Sequence, residues 1–125
     1  MKKVKQMGIW MDHSNAYLLE LIHDKIVQNS LASGFTIEER ESSLQKSEHF
    51  MHNKEQQQHA VFYKKIGEKI RLFQEVVLFG PTEAKYELFN LLKADHLFSD
   101  IKIEAKDTDK LTESEMYAFV REYFK

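Results

Sequence analysis

Hydrophobic and polar residues alternate in three short runs at the start of the chain, each bounded by turn-forming residues. This pattern predicts strands over residues 4–11, 16–22 and 25–31. The second half of the first run is apolar at every position, which is typical of a central strand buried on both faces. Because only short loops separate the three runs, they are expected to form an antiparallel meander.

Helix and strand patterns alternate in the second half of the chain. Apolar residues at helical spacing predict helices over about 56–72 and 83–93, the second with an apolar stripe that includes Leu88, Leu91 and Leu92. The run 76–79 between them predicts a short buried strand, and alternation over 101–106 predicts a half-exposed edge strand. Thr112 and Glu115 form a capping box that begins the last helix.

The predicted element order is therefore βββ-α-β-α-β-α. Right-handed crossovers place the fourth strand beside the first and the fifth beyond it, giving the sheet order 3-2-1-4-5 with strand 2 antiparallel to the rest. This is an α/β fold with a mixed five-stranded sheet and three helices, the ribonuclease H-like arrangement. Residues 1–125 are expected to form a single domain, with 32–54 as a long mobile loop within it because that stretch is charged and polar.

Composition narrows the possible functions. The chain has 18 basic and 20 acidic residues, so only a local basic patch would provide a nucleic-acid surface. One such patch would combine basic residues of the amino terminus and the first helix, namely Lys2, Lys3, Lys5, Lys64, Lys65, Lys69 and Arg71. The absence of cysteine removes thiolate chemistry and fits a reducing cytoplasm, where we expect the protein. The early apolar run is too short for a membrane span, and no phosphate-cradling motif occurs, so neither a membrane partner nor a cofactor is expected.

The carboxyl ends of the strands are the expected place for a site. In open α/β sheets, ligands bind where the strand order reverses, near helix N-termini. Here Gly80-Pro81 ends the fourth strand, and Thr82 is predicted to cap the helix that follows. The switch-point groove would be lined by residues from three strand ends, namely Trp10, Asp12, His13, Gly80, Pro81, Thr82, Glu83, Lys85, Asp107 and Asp109.

The carboxylates at this groove suggest metal-dependent chemistry. Carboxylates such as Asp12, Glu83 and Asp107 could hold Mg²⁺ as in ribonuclease H-like nucleases, but the fourth strand ends in Gly80-Pro81, where a carboxylate would be useful. Asp12 and His13 are better explained as turn residues. The spacing of the histidines near the first helix matches no zinc motif, so no metal is expected and no catalytic residue is assigned.

Several segments together resemble a known family. They are Ile9-Trp10-Met11-Asp12-His13, the stretch from Gly80-Pro81-Thr82 to Tyr86-Glu87-Leu88, the residues around Asp107 to Thr112, and Val120-Arg121-Glu122-Tyr123-Phe124. They look like small bacterial proteins labelled translational machinery proteins, which are similar to the middle domain of archaeal and eukaryotic class 1 peptide release factors and of Pelota. The resemblance covers nearly the whole chain except 32–54. It implies a ribonuclease H-like fold and a ribosome or RNA partner.

The chain departs from that family in one decisive motif. Release factors carry Gly-Gly-Gln in the loop after the third strand, whereas this chain has no Gly-Gly-Gln and only Gln56-Gln57-Gln58 near that position. The flanking domains of release factors are also expected to be missing. His49, His52 and Gln56 are the candidate contacts in this loop. The predicted function is a ribosome- or RNA-associated binding module that is non-catalytic because Gly-Gly-Gln is absent. The alternative is a small hydrolase or metal-dependent nuclease using Asp12, His13, Glu83 and Asp107.

Overall fold

The strands form where β-branched and other apolar residues follow one another between turn-forming residues. The computed structural model describes residues 4–32 and 60–125. Its five strands are β1 (Gln6–Met11), β2 (Asn15–Ile22), β3 (Lys25–Ala32), β4 (Glu75–Gly80) and β5 (Lys102–Asp107). All five belong to one sheet.

The sheet has the order β3-β2-β1-β4-β5. β2 pairs antiparallel with both β1 and β3, whereas β1 with β4 and β4 with β5 are parallel pairs. Strand 2 therefore runs against the other four. The predicted α/β fold class, with its strand order, is confirmed.

Within residues 4–32 and 60–125, three α-helices cover the sheet, as predicted. They are α1 (residues 60–70 of the described part), α2 (Ala84–Lys93) and α3 (Glu113–Tyr123). The first residues predicted for α1, 56–59, lie outside the described residues. A short 3₁₀ helix, His96–Phe98, was not predicted; the side chain of Asp95 accepts a hydrogen bond from the amide of Leu97 and begins it.

Each face of the sheet has its own hydrophobic cluster. Met7, Ile9 and Met11 of β1 point to the face covered by α1 and α2, while Trp10 points to the face covered by α3. This alternation follows from the two-residue period of a strand. Because both faces are covered, β1 and β4 are buried along most of their length.

α3 packs very close to β1. A Cβ atom placed on Gly8 would lie 2.3 Å from Cγ2 of Val120, so this close approach requires a residue without a side chain. The helix begins as predicted, with the Thr112 side chain accepting from the amide of Glu115 and the Glu115 carboxylate accepting from the amide of Thr112.

Two details differ from the predictions. Leu91 does not belong to the buried stripe of α2, because 56% of its surface is exposed in the groove beside α1. Of the predicted 32–54 loop, Ala32 is the last residue of β3, and the remainder lies outside the described residues. Within residues 4–32 and 60–125, no helix is long and apolar enough to cross a bilayer.

Candidate functional site

Three strands end side by side at one edge of the sheet. Trp10 of β1 is in register with Phe79 of β4, and Gly80 is in register with Asp107 of β5. β1 and β4 are neighbours, but the chain leaves them toward opposite sides of the sheet, to β2 and β5. Their carboxyl ends therefore form the switch point at which open α/β sheets bind ligands.

Gly80 allows β4 to end against the backbone of β1. Its φ angle is +146°, a conformation that residues with a side chain rarely adopt. A Cβ atom at this position would lie 2.4 Å from the carbonyl oxygen of Met11. The switch point is therefore closed by two backbones in contact, with no room for a side chain between them.

Asp12 stabilises the turn that follows β1. Its Oδ1 accepts hydrogen bonds from the amides of Ser14, at 2.8 Å, and Asn15, at 2.7 Å. The Asp12 amide in turn donates to the carbonyl of Asn15. This is the side-chain-to-backbone pattern by which aspartate favours turns, so one carboxylate oxygen of Asp12 is already used by the fold.

Lys85 is a buried cation in the first turn of α2. Its side chain has 0% exposure, and its Nζ lies 2.9 Å from Oδ1 of Asp107 and donates to the carbonyl of Thr82. The ammonium also lies 4.6 Å from the ring centre of Tyr86. A buried ammonium needs such partners, and together they fix α2 to the end of β5. Lys85, expected in the groove lining, is therefore covered.

Asp107 completes this arrangement from the surface, since 75% of its side chain is exposed. Hydrogen bonds from Lys85 and from Tyr86 lower the pKa of its carboxyl group. The same contact, with Asp107 as acceptor, raises the pKa of Tyr86. Asp107 therefore remains ionised as the counter-ion of Lys85.

The start of α2 differs slightly from its prediction. Glu83, rather than Thr82, occupies the N-cap position, and the Glu83 side chain makes no capping hydrogen bond. The Thr82 hydroxyl still accepts from the amide of Ala84, at 3.3 Å. Glu83, Pro81 and Asp109 are all exposed at this edge of the sheet.

A hydrogen-bonded chain links three elements beside the switch point. Nε2 of His13 lies 3.1 Å from Oε2 of Glu87, and the Tyr63 hydroxyl donates to Oε1 of Glu87 at 2.6 Å. The β1–β2 turn, α2 and α1 are joined in this way. Burial and the Glu87 carboxylate raise the pKa of Tyr63, so its hydroxyl stays protonated as a donor. A carboxylate in this position can orient the imidazole of His13.

Sequence reasoning assigned no role to Tyr63 or Glu87. Tyr63 follows Phe62 within a helical pattern, and Glu87 lies in the first turn of α2. Helical periodicity shows which residues share a face of one helix, but it does not show which residues of two helices meet. A tyrosine on the buried side of a helix was the one available signal, because buried hydroxyls need a partner.

Two buried polar atoms near the strand ends have no partner in the described part of the chain. They are Nε1 of Trp10 and Oγ1 of Thr108. The Trp10 ring packs in the cluster under α3, 5.4 Å from the ring of Tyr17, so it does not line the same surface as His13. The Thr108 amide donates to the carbonyl of Gly80 at 3.3 Å.

The switch point thus brings together two pairs, Lys85 with Asp107 and His13 with Glu87. Asp12 belongs to its own turn, and Trp10 belongs to the opposite face. Among residues 4–32 and 60–125, no three histidine, aspartate or glutamate side chains are placed to hold a metal ion together. The predicted contacts His49, His52 and Gln56 lie outside the described residues.

A second candidate surface is the outer side of α1. We define the α1 basic face by four exposed cations of α1 and of the turn that follows it, Lys64, Lys65, Lys69 and Arg71. Glu68 is the only acidic residue among residues 60–72, so this stretch has a net charge of +3 (four cations minus one anion). No ion pair involves these four cations within the described ranges. Lys5 and Lys69 also line one groove, so part of the predicted amino-terminal patch joins this face.

Solved structures with a similar fold were found among archaeal proteins. The Pelota protein of Thermoplasma acidophilum matches 94% of this chain with a TM-score of 0.62 and 14% sequence identity. The Pelota of Archaeoglobus fulgidus matches 97% with a TM-score of 0.62 and 10% identity. The archaeal translation termination factor aRF1 matches 96% with a TM-score of 0.52 and 17% identity.

The matched region is only part of each of those proteins. It spans 32% of each Pelota chain and 39% of aRF1. No protein-family model matches the chain, and no curated protein sequence matches it significantly. At these identities the comparison establishes a shared fold.

Proposed function

We propose that the chain is a ribosome- or RNA-associated binding module related to release and rescue factors. The observation that supports this most strongly is the extent of the match, since the similarity to a segment of a translation termination factor covers 96% of the chain. The sequence segments at the switch point resemble the same group of proteins. A module of this kind would act within translation through binding.

The proposal does not include peptide release. Gly-Gly-Gln, the motif by which the resembling release factors are expected to act, is absent from the sequence. At the switch point, Asp12 holds a turn and Lys85 with Asp107 holds α2 against β5. These polar groups are used to build the fold, which favours a binding role over a catalytic one.

The α1 basic face is the surface that we propose for contact with RNA. Lys65 and Lys69 are four residues apart and therefore lie on one side of the helix. Val61, four residues before Lys65, is 52% exposed. Leu72, which follows the helix, is 61% exposed and lines a groove together with Lys69. Lysines that neutralise phosphates provide binding without sequence preference. Aliphatic neighbours that are already partly exposed would be covered by the partner.

The test is co-sedimentation of the full chain with purified ribosomes at low and moderate salt. We expect the wild-type chain to sediment with ribosomes at low salt and to be released as salt increases. The double variant Lys65→Glu/Lys69→Glu should remain in the supernatant. The matched control is Lys102→Glu/Lys110→Glu, which changes the net charge equally but on another part of the surface. Equal sedimentation of both variants would contradict the assignment to α1, and no sedimentation of the wild type with empty or stalled ribosomes would contradict the function.

One observation favours the alternative, a small hydrolase or metal-dependent nuclease. Glu87 is placed to orient His13, as a carboxylate orients a general base. A metal at Asp107 would have to compete with the Lys85 ammonium 2.9 Å away, which disfavours the metal-dependent form. Calorimetric titration with Mg²⁺ and Mn²⁺ is expected to show no tight binding. Metal-dependent cleavage of RNA that is abolished by Asp12→Asn, but not by the exposed control Asp100→Asn, would establish the enzyme instead.

A further inference from the structure

The two edges of the sheet differ in charge. β5 is a short edge whose six residues include Lys102, Glu104, Lys106 and Asp107, and charged side chains discourage pairing with another strand. β3 has eight residues, pairs with β2 without a bulge, and carries one charge, Lys25, at its first position. Val27 in its middle is 44% exposed. In the described part of the chain, no strand pairs with the outer side of β3.

The turn before β3 fixes which of its backbone groups face outward. His23 and Asp24 both have positive φ angles, 50° and 68°, as a two-residue type I′ hairpin requires. Ile22 and Lys25 close this turn and form a hydrogen-bonded pair. Hydrogen-bonded and non-hydrogen-bonded pairs then alternate along the hairpin. The N–H and C=O groups that face away from β2 are therefore those of Ile26, Gln28, Ser30 and Ala32.

The side chains of β3 alternate between the two faces of the sheet. Val27 and Asn29 are in register with Glu20 and Leu18 of β2, whose Leu18 packs under α1 and α2. Gln28 is on the other face, where its side chain accepts a hydrogen bond from the hydroxyl of Tyr117 of α3. A strand added at this edge would continue both faces.

We propose that the outer edge of β3 pairs with the β3 of a second copy of this chain, antiparallel, about a two-fold axis at Asn29. A two-fold axis normal to the sheet keeps each helical layer on the same side in both copies. Opposing residues are then both odd-numbered or both even-numbered, so their side chains lie on the same face of the sheet. With Asn29 opposite Asn29, Val27 meets Leu31 and Ile26 meets Ala32. Apolar residues thus oppose apolar residues on both faces.

The backbone agrees with this register. With Asn29 at the axis as a non-hydrogen-bonded pair, Gln28 opposes Ser30 and Ile26 opposes Ala32 as hydrogen-bonded pairs. Those are the residues whose N–H and C=O groups face outward. The two central amides are self-complementary, because each side chain carries a donor and an acceptor. The small side chain of Ser30 opposes Gln28 beside Tyr117, where a larger side chain would meet α3.

The charge of Lys25 favours antiparallel over parallel pairing of the two β3 strands. Antiparallel pairing places the two Lys25 residues at opposite ends of the interface, whereas parallel pairing would place them side by side. The rest of the edge is uncharged and complementary to itself. The resulting ten-stranded sheet would have β5, the charged edge, at both ends. This inference does not depend on the proposed function.

The test introduces a positive or a negative charge at Asn29, on the proposed two-fold axis. The molar mass of the full chain is measured by light scattering coupled to size-exclusion chromatography, from about 1 µM to about 1 mM. We expect the wild type to approach twice the 14.8 kDa of one chain as concentration rises. Asn29→Lys and Asn29→Asp, each alone, should stay at the mass of one chain because like charges then meet at the axis. An equimolar mixture of the two should recover the doubled mass.

Two controls keep the outcome decisive. Lys106→Asp on the β5 edge should leave the mass of the wild type unchanged, and circular dichroism should show that the Asn29 variants are folded, since Asn29 is exposed. A single-chain mass for the wild type over the whole range would overturn the proposal. Doubled mass that persists in both single variants, or a mixture that stays at the mass of one chain, would also overturn it.

Discussion

The switch point and the α1 basic face both contain charged residues, but the fold uses them differently. At the switch point, Asp107 accepts from the buried Lys85, and Asp12 accepts from two backbone amides. On the α1 basic face, Lys65 and Lys69 are exposed and form no ion pair within the described ranges. The charged groups of the first region join strands and helices, whereas those of the second form no ion pair with the part of the chain that the structure describes.

This difference matters for how function is inferred from a fold. The carboxyl ends of strands are the usual place for ligands in open α/β sheets, and polar residues there attract a catalytic interpretation. Hydrogen bonds decide whether such residues are available for chemistry. Here they give the charged residues of the switch point a structural role, and our proposal places binding on α1 instead.

The largest effect is expected from Gly80→Ala. The added Cβ would meet the carbonyl oxygen of Met11 at 2.4 Å in a backbone conformation with φ of +146°. We expect unfolding to become easier by about 3 kcal/mol, because the backbones of β1 and β4 must separate. Urea denaturation followed by circular dichroism measures this change.

Gly67→Ala is the matched control for that substitution. Its added Cβ would lie 3.4 Å from Cζ of Phe98, which is an ordinary contact, and Gly67 is inside a helix. We expect stabilisation of up to about 1 kcal/mol from improved helix propensity. Similar losses of stability in both variants would show that the close contact between the β1 and β4 backbones does not make Gly80 necessary.

A smaller effect is expected from Tyr63→Phe. The substitution removes the hydroxyl that donates to Glu87 at 2.6 Å and leaves the packing of the ring in place. We expect a loss of about 1 kcal/mol at neutral pH, the usual contribution of one hydrogen bond.

The pH dependence of Tyr63→Phe provides a second check. The folded state raises the pKa of Tyr63. The stability that the Tyr63 hydroxyl contributes is therefore present below the ordinary tyrosine pKa of about 10 and is lost as pH rises through the raised pKa. The difference in unfolding free energy between wild type and Tyr63→Phe should therefore shrink above about pH 10. A difference that stays constant there would contradict the hydrogen bond to Glu87.

Lys85→Met is expected to change the titration of the Asp107 carboxyl group. Removing the ammonium takes away the main cause of the lowered pKa of Asp107, so that pKa is expected to rise toward its ordinary value. NMR titration of the Asp107 carboxyl carbon measures it. In the wild type, the stability linked to Asp107 is present above the ordinary aspartate pKa of about 4 and is lost as pH falls through the lowered pKa. The unfolding free energy of Lys85→Met should therefore decrease less on acidification than that of the wild type.

Lys106→Met is the control for that titration. Lys106 is next to Asp107 in sequence, but its ammonium lies 4.0 Å from Glu104 and is largely exposed. We expect no rise in the Asp107 pKa in this variant. An equal rise in both variants would mean that net charge, and not the Lys85 contact, sets the pKa.

The parts of the fold that follow from local pattern could be predicted from the sequence. The uninterrupted apolar run ending at Met11 identified a central strand, and Thr112 with Glu115 identified the start of α3. The strand order followed from the element order and the handedness of crossovers. These inferences needed only neighbouring residues and a rule of topology.

The parts that depend on contacts between elements could not be predicted in the same way. Lys85 is charged and lies in a helix whose pattern does not reveal that it is buried. Leu91 fits the apolar spacing of α2, yet it is exposed because α1 does not cover that part of the helix. Glu87 joins His13 and Tyr63 across long sequence separations, and periodicity carries no information about such pairs.

The measurement that tests the contrast most directly is the salt dependence of ribosome binding. Affinity is measured for the wild type and for Lys65→Gln/Lys69→Gln across a series of salt concentrations. If both lysines neutralise phosphates, the slope of log affinity against log salt should be shallower in the variant by about 1.5. The variant Asp12→Asn/His13→Gln, at the switch point, should keep the wild-type slope. An unchanged slope in the lysine variant, with loss of binding in the switch-point variant, would contradict the account.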